Sequence, residues 1–202
     1  MISISNLNKS FGDRAIFKNL NIEIKDGEFA VVSGVSGKGK TTLLNMIGGL
    51  ETPDSGSINV DDYDVTGRIN RRKYWGEKIG FLFQNFALID DKTVMQNLNV
   101  VGKKYRTGIS FDKALKMVGM EGSEKRKIYT LSGGEQQRIA LARLLVKKCD
   151  IILADEPTGS LDIGNRDMVI SILRELEDMG KTIVMVTHDE GLIKEGTKVI
   201  EL

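Results

Sequence analysis

Apolar and polar positions alternate through residues 1–7 and again through 20–24, the period of half-buried strands. The turn-prone stretch 11–14 between them predicts an antiparallel pairing. Residues 29–32 form a short apolar run ending at Ser33, a glycine-rich segment follows, and residues 41–47 take helical spacing, so this region reads as strand, loop, helix. Residues 52–56 read as a turn, 57–60 as a strand, and 79–83 as a compact buried strand ending at Gln84. The period then changes. Residues 92–100, 111–118 and 135–146 repeat every 3.6 positions with no strand pattern between them, which predicts a helical lobe over about 86–133 set into an α/β core. Residues 151–154 and 182–186 read as buried parallel strands joined by a helix over 165–179, and 198–202 as a last edge strand.

At roughly 150 residues per domain, 202 residues predict a single domain. With 41% hydrophobic and 28% charged residues the chain falls in the ordinary globular class, which removes disordered and fibrous alternatives. A net charge of +1 offers no global field for nucleic acid or an anionic membrane. The only cysteine, Cys149, has no intrachain partner. No apolar run approaches the ~18 residues of a bilayer span, and residue 1 opens straight into alternation without a signal-peptide core. The expectation is a soluble, cytoplasmic chain. Glycine stands out, at 22 residues against roughly 7% in ordinary usage, and implies special backbone geometry somewhere.

That geometry is called for at Gly34-Val35-Ser36-Gly37-Lys38-Gly39-Lys40-Thr41, which matches the phosphate-binding loop GxxxxGK[ST] in its strand-loop-helix setting. Glycines let backbone N–H groups turn inward around phosphate oxygens, and the helix that follows adds its positive end. In this reading Lys40 bridges the β- and γ-phosphates, and Thr41, with Thr42 beside it, opens the helix and holds Mg²⁺. The run 151–154 delivers Asp155 and Glu156 to the end of a buried strand, where open α/β sheets put ligands. Asp155 suits the Mg²⁺ shell, and Glu156 suits proton acceptance from a water attacking the γ-phosphate. A second serine-glycine-glycine helix start follows Leu131, at Ser132, Gly133 and Gly134, with Glu135 placed to complete a capping box.

Through Leu131-Ser132-Gly133-Gly134-Glu135-Gln136-Gln137 the chain resembles the ATP-binding cassette family, whose signature is LSGGQ. The resemblance runs over essentially the whole chain in the family's order. It implies a P-loop NTPase (RecA-like) core with an N-terminal antiparallel β subdomain and an inserted helical subdomain. It also implies ATP and Mg²⁺ as cofactors, with Phe11 where an aromatic residue stacks on adenine and Gln84 as the Q-loop residue at Mg²⁺. Ser160, Leu161 and Asp162 match the D-loop, and the only histidine, His188, matches the switch histidine. The family's head-to-tail pairing implies a homodimer in which Ser132, Gly133 and Gly134 close over ATP held by Lys40 of the partner. Glu156 is then the base, and His188 supports the γ-phosphate and the water. The region 84–89 implies contact with an integral membrane permease, which puts the chain on the inner face of the cell membrane.

Lys38 departs from the family's usual small residue at its position, as a solvated side chain or an added phosphate contact. The basic stretch 68–73 reads as a solvated face rather than a nucleic-acid site. Asp155-Glu156-Pro157-Thr158-Gly159-Ser160-Leu161-Asp162 resembles the macrolide and lipoprotein exporter branch. Residues 81–89 resemble the lactococcin-972-type bacteriocin export group, with a peptide or other amphipathic cargo. Two alternatives stay open at this point: the ATPase of a non-transporting membrane signalling or envelope complex, and a soluble nucleic-acid-associated cassette.

Overall fold

The computed structural model describes residues 1–159 and 162–202, side chains included except that of Ile163. Its elements fall into two sheets. The first is antiparallel: β1 (Ile2–Phe11), β2 (Arg14–Ile24), β4 (Ser55–Val60) and β5 (Tyr63–Asp64), in the order β2-β1-β4-β5. The second is parallel: β3 (Phe29–Ser33), β6 (Ile79–Leu82), β7 (Ile151–Asp155), β8 (Thr182–Val186) and β9 (Lys198–Glu201), in the order β6-β7-β8-β3-β9. The helices are α1 (Lys40–Ile47), α2 (Arg71–Glu77), α3 (Val94–Asn99), α4 (Phe111–Met117), α5 (Gly133–Val146), α6 (Ile163–Asp178) and α7 (Glu190–Ile193). Two 3₁₀ turns lie at Lys103–Tyr105 and Ile128–Thr130.

The three inner strands β3, β7 and β8 are buried at every position and apolar except at Ser33, Asp155 and Thr182, because both faces of the sheet are covered there, whereas the edge strand β9 is half exposed. Successive residues alternate between two cores, as strand geometry requires. Phe29 and Val31, Ile152 and Ala154, and Ile183 and Met185 join a core shared with α3, α4, α5 and α6. Ala30 and Val32, Ile151 and Leu153, and Val184 and Val186 face the other way, onto α1 and the antiparallel sheet. The two cores thus grip the sheet from either side and hold its strand ends in register.

The structure extends the sequence reading at three places. The first hairpin is longer than its alternation shows, with only Gly12 and Asp13 left in the turn. Register shifts along β1 and positive φ at Asn6 (50°) and Asn19 (52°) break the period of two, which hides the strand from a pattern search. The basic stretch 68–73, read as a solvated face, runs into a helix over 71–77. Arg71, Arg72 and Lys73 do face solvent, but Tyr74 is wholly buried and donates its hydroxyl to the Ile47 carbonyl at 2.7 Å. The third is α7, four residues capped by Asp189.

Helix starts follow local chemistry. Thr93 and Ser132 each form a capping box, with Gln96 and Glu135 respectively, and Ser110 and Asp162 cap α4 and α6 through their side chains.

Candidate functional site

In a parallel sheet every strand ends on the same side, so the loops after β6, β7, β8 and β3 emerge along one edge. Those loops carry Gln84, Asp155 and Glu156, His188, and the glycine loop that begins at Gly34. Residues scattered over the length of the chain meet there.

The glycine loop uses its glycines. Gly34, Gly37 and Gly39 have φ of 143°, 79° and 91°, in the left-handed region that side chains disfavour. A Cβ on Gly39 would strike the Ile16 and Phe17 side chains of β2, so the antiparallel sheet presses directly on the loop. Lys40 is buried, and its Nζ donates to the carbonyls of Gly34 (2.7 Å) and Val35 (3.2 Å). The ammonium thus spans the loop it belongs to. Thr41 donates from Oγ1 to Asp155 Oδ1 at 3.0 Å across 114 residues of chain. Burial, reinforced by the nearby Glu156 charge, raises the Asp155 carboxyl above its ordinary value, against the opposing pull of the Thr41 hydroxyl and Lys40.

Glu156 sits one residue past β7 with φ of 45°, in the left-handed region, while its N–H still donates to the Val186 carbonyl at 3.0 Å. A non-glycine residue held there costs about 1–3 kcal/mol, met by the surrounding strand pairing. The turn brings Oε1 within 2.9 Å of His188 Nδ1 and leaves Oε2 buried without a hydrogen-bond partner among the described residues. His188 is open, with 71% of its side chain exposed against 15% for Glu156. The pair couples a buried carboxylate to an accessible imidazole.

A cavity of about 470 Å³ lies over these groups, lined by Phe11, Ile16, Ser36, Gly37, Gly39, Lys40, Thr41, Thr42, Gln84, Glu156, Val186 and His188. Phe11 is half exposed at its rim, and Lys9 Nζ stands 4.7 Å from the ring centroid. Gln84 also shares a recess with Thr41 and Asp155. The hydroxyl, carboxylate and amide oxygens of that recess are hard donors of the kind Mg²⁺ takes, and they fit such an ion.

Other residues singled out from the sequence lie elsewhere. Gly34, Val35 and Lys38 line a separate depression with His188 rather than the main cavity, and Lys38 is exposed, which leaves its side chain in solvent. Ser132, Gly133 and Gly134 open α5 and do not line the cavity of their own chain. Ser132 Oγ accepts from the Glu135 N–H at 3.2 Å, and Glu135 Oε2 accepts from the Ser132 N–H at 2.8 Å. Arg126, 2.6 Å from Glu135 Oε1, together with the Ser132 N–H, holds that carboxyl below the usual range. Asp162 caps α6 and accepts from Asn165 Nδ2 at 2.6 Å; Ser160 and Leu161 of the same motif lie outside the described residues.

Arg14 belongs to the site although its sequence context carries no motif: its Nη2 donates to the Gly37 carbonyl at 2.8 Å. Arg143 is equally silent in sequence. It donates from α5 to the carbonyls of Phe86 (2.8 Å) and Ala87 (2.6 Å), and both of those residues have positive φ, 62° and 47°.

A sheet of this order with a glycine loop, an Asp-Glu strand end and a lone histidine at one edge defines an ATP-binding cassette ATPase. The chain belongs to the ABC transporter family, which it matches over residues 17–159. It is 41% identical over 210 residues to the macrolide export ATP-binding/permease protein MacB of Campylobacter jejuni, covering all of this chain and 33% of that one. The chain therefore spans about a third of the length of the macrolide exporters that it matches. It is 36% identical to the lipoprotein-releasing system ATP-binding protein LolD of Bacteroides thetaiotaomicron, covering 100% of this chain and 96% of that one. The solved dimeric structure of MJ0796, a bacterial ABC transporter cassette, superposes with a TM-score of 0.90 at 38% identity, covering 100% of this chain and 94% of that one. A second structure of MJ0796 is a dimer in a post-hydrolysis state bound to ADP and Pi, with a TM-score of 0.88.

Proposed function

We propose that the chain is the motor of an ABC exporter for amphipathic cargo, binding and hydrolysing MgATP at two composite sites of a head-to-tail homodimer. The observation that carries this reading is the joining of Thr41 to Asp155 and of Glu156 to His188 along the edge that bears the glycine loop. Similarity to the macrolide and lipoprotein systems supports the export direction and the amphipathic cargo.

In this reading residues 1–202 are one cassette, with about 86–133 as its inserted helical arm. Phe11 stacks on adenine, and the backbone and side chains over 34–42, Gly34 to Thr42, surround the phosphates. Lys40 leaves the Gly34 and Val35 carbonyls for the β- and γ-phosphates. Thr41, Gln84 and Asp155 would hold Mg²⁺, which supplies charge neutralisation at the phosphates when bound. Glu156 accepts the proton of the attacking water at its carboxylate, and His188 steadies the carboxylate and the γ-phosphate. Ser132, Gly133, Gly134, Glu135 and Asp162 meet the nucleotide of the partner copy, which accounts for their place away from the cavity. The membrane permease is contacted through residues 84–89, on the inner face of the membrane; no helix among the described residues is long and apolar enough to cross one.

The test is to tag the Glu156→Gln form in its native cell, solubilise membranes gently in MgATP, and identify what co-purifies. A multi-spanning permease with an export architecture is the expected partner. Recovery of ribosomes or DNA-associated proteins instead would overturn the transport reading.

A further inference from the structure

Lys9 is a charge in a buried row. Along β1 the side chains of Ile2, Ile4 and Leu7 pack into the core beside α1, and Lys9 continues that face with only 7% of its surface exposed. A lysine is almost never buried so far unless its ammonium is paired. Lys9 does not line the nucleotide cavity, whereas Phe11, two residues on along the same strand, does.

The ammonium has three N–H donors, and two of them meet oxygens just past α1. One donates to Glu51 Oε1 at 2.7 Å and one to the Thr52 carbonyl at 2.8 Å. Asp54 Oδ1 stands at 3.8 Å, outside hydrogen-bond range, and Asp54 Oδ2 is engaged by the Ser10 N–H at 2.6 Å. The third N–H therefore has no acceptor atom within reach among the described residues. What lies there is the Phe11 ring, with its centroid 4.7 Å from Nζ, a separation at which a cation is drawn to the negative face of an aromatic ring. Residues two apart on a strand share a face, so the contact follows from the pleat of β1.

We infer that Lys9 is a positioning residue for the nucleobase: its buried ammonium holds the Phe11 ring from the protein side and, through Glu51 and Thr52, ties that ring to the segment after the helix whose first residues grip the phosphates. The inference rests on the reading of Phe11 as the adenine platform and adds the group that fixes the platform. Phe11 closes β1 beside a two-residue turn and is half exposed, so without an anchor the base would have to order the ring as it binds. The ion pair also sets the spacing between the two ends of the nucleotide, because Glu51 follows α1 and Lys40 begins it.

The test separates base from phosphate by titrating MgADP and magnesium pyrophosphate into the same samples. Lys9→Met keeps the length of the stem and removes the charge. Its Kd for MgADP is expected to rise about fivefold, the scale of one partly desolvated cation–π contact, while its Kd for pyrophosphate stays within about twofold of the parent. In turnover the loss should fall on KM for ATP rather than on kcat. Lys9→Arg, which restores a cation at the ring, should recover most of the affinity and serves with thermal melts as the check on folding. In a Phe11→Ala background Lys9→Met should change the Kd for MgADP by less than about twofold, since the ring through which it acts is gone. An equal loss of affinity for MgADP and pyrophosphate overturns the inference, as does a Lys9→Met effect that persists in full without Phe11. If Phe11→Ala weakens MgADP binding and Lys9→Met does not, the inference falls and the platform stands. If Phe11→Ala leaves MgADP binding unchanged, the platform reading itself falls and the inference with it.

Discussion

His188 Nδ1 lies 2.9 Å from Glu156 Oε1, while the second oxygen of Glu156 is buried and unpaired among the described residues. One oxygen is thereby fixed by the imidazole, and the other keeps its acceptor capacity free of any protein donor among the described residues. The arrangement fits a base whose orientation is set by its neighbour, with the strained φ at Glu156 supplying the turn.

Glu156→Gln keeps the shape of the side chain and removes its basicity. ATP binding should persist while turnover falls by about 100-fold or more, the usual contribution of a positioned base. The trapped ATP form should run as a dimer in light scattering with MgATP; a variant that stays monomeric at saturating MgATP contradicts the composite-site reading.

Asp155 connects the site to stability. Its folded-state pKa is raised above the ordinary 3.8, chiefly by burial, so the native state keeps a proton that the unfolded chain has already released. The charged form therefore costs stability at neutral pH, and that cost disappears as pH falls below the unfolded value. Asp155→Asn retains an acceptor for Thr41, so it should melt higher than the parent at pH 7 without nucleotide. The advantage should vanish toward pH 3.8, and Mg²⁺-dependent turnover should be lost. Thermal melts across pH check the sign.

Arg14 ties β2 to the glycine loop through the Gly37 carbonyl. Arg14→Gln should weaken ATP binding by roughly fivefold, the equivalent of about 1 kcal/mol for one hydrogen bond, with little change in kcat. Isothermal titration and steady-state kinetics separate the two, and a fall in kcat at unchanged affinity would count against a loop-positioning role.

Tyr74 anchors α2 beneath the exposed basic residues through its hydroxyl on the Ile47 carbonyl. Tyr74→Phe should cost about 1 kcal/mol and lower Tm by roughly 2–4 °C, since it strands a buried acceptor without opening a large cavity. Turnover below the melting range should be unaffected.

Much of this was legible in the residues. The period of two in residues 1–7 and the wholly apolar runs at β3, β7 and β8 announce one half-exposed and one fully covered sheet, because solvent contact dictates composition at each position. The glycine loop, the Asp155-Glu156 strand end and the Ser132 capping box are local, since their chemistry acts within a few residues along the chain. The helix at Arg71–Glu77 escaped because its basic surface dominates the pattern, while Tyr74 finds its partner only in the fold.

What tertiary structure alone decided is which distant groups meet. Strand order, not sequence order, brings Thr41 to Asp155 and Glu156 to His188. Arg14 on Gly37 and Arg143 on Phe86 and Ala87 have no motif around them, because an arginine bonding backbone carbonyls asks nothing of its partners' side chains and leaves no pattern to read.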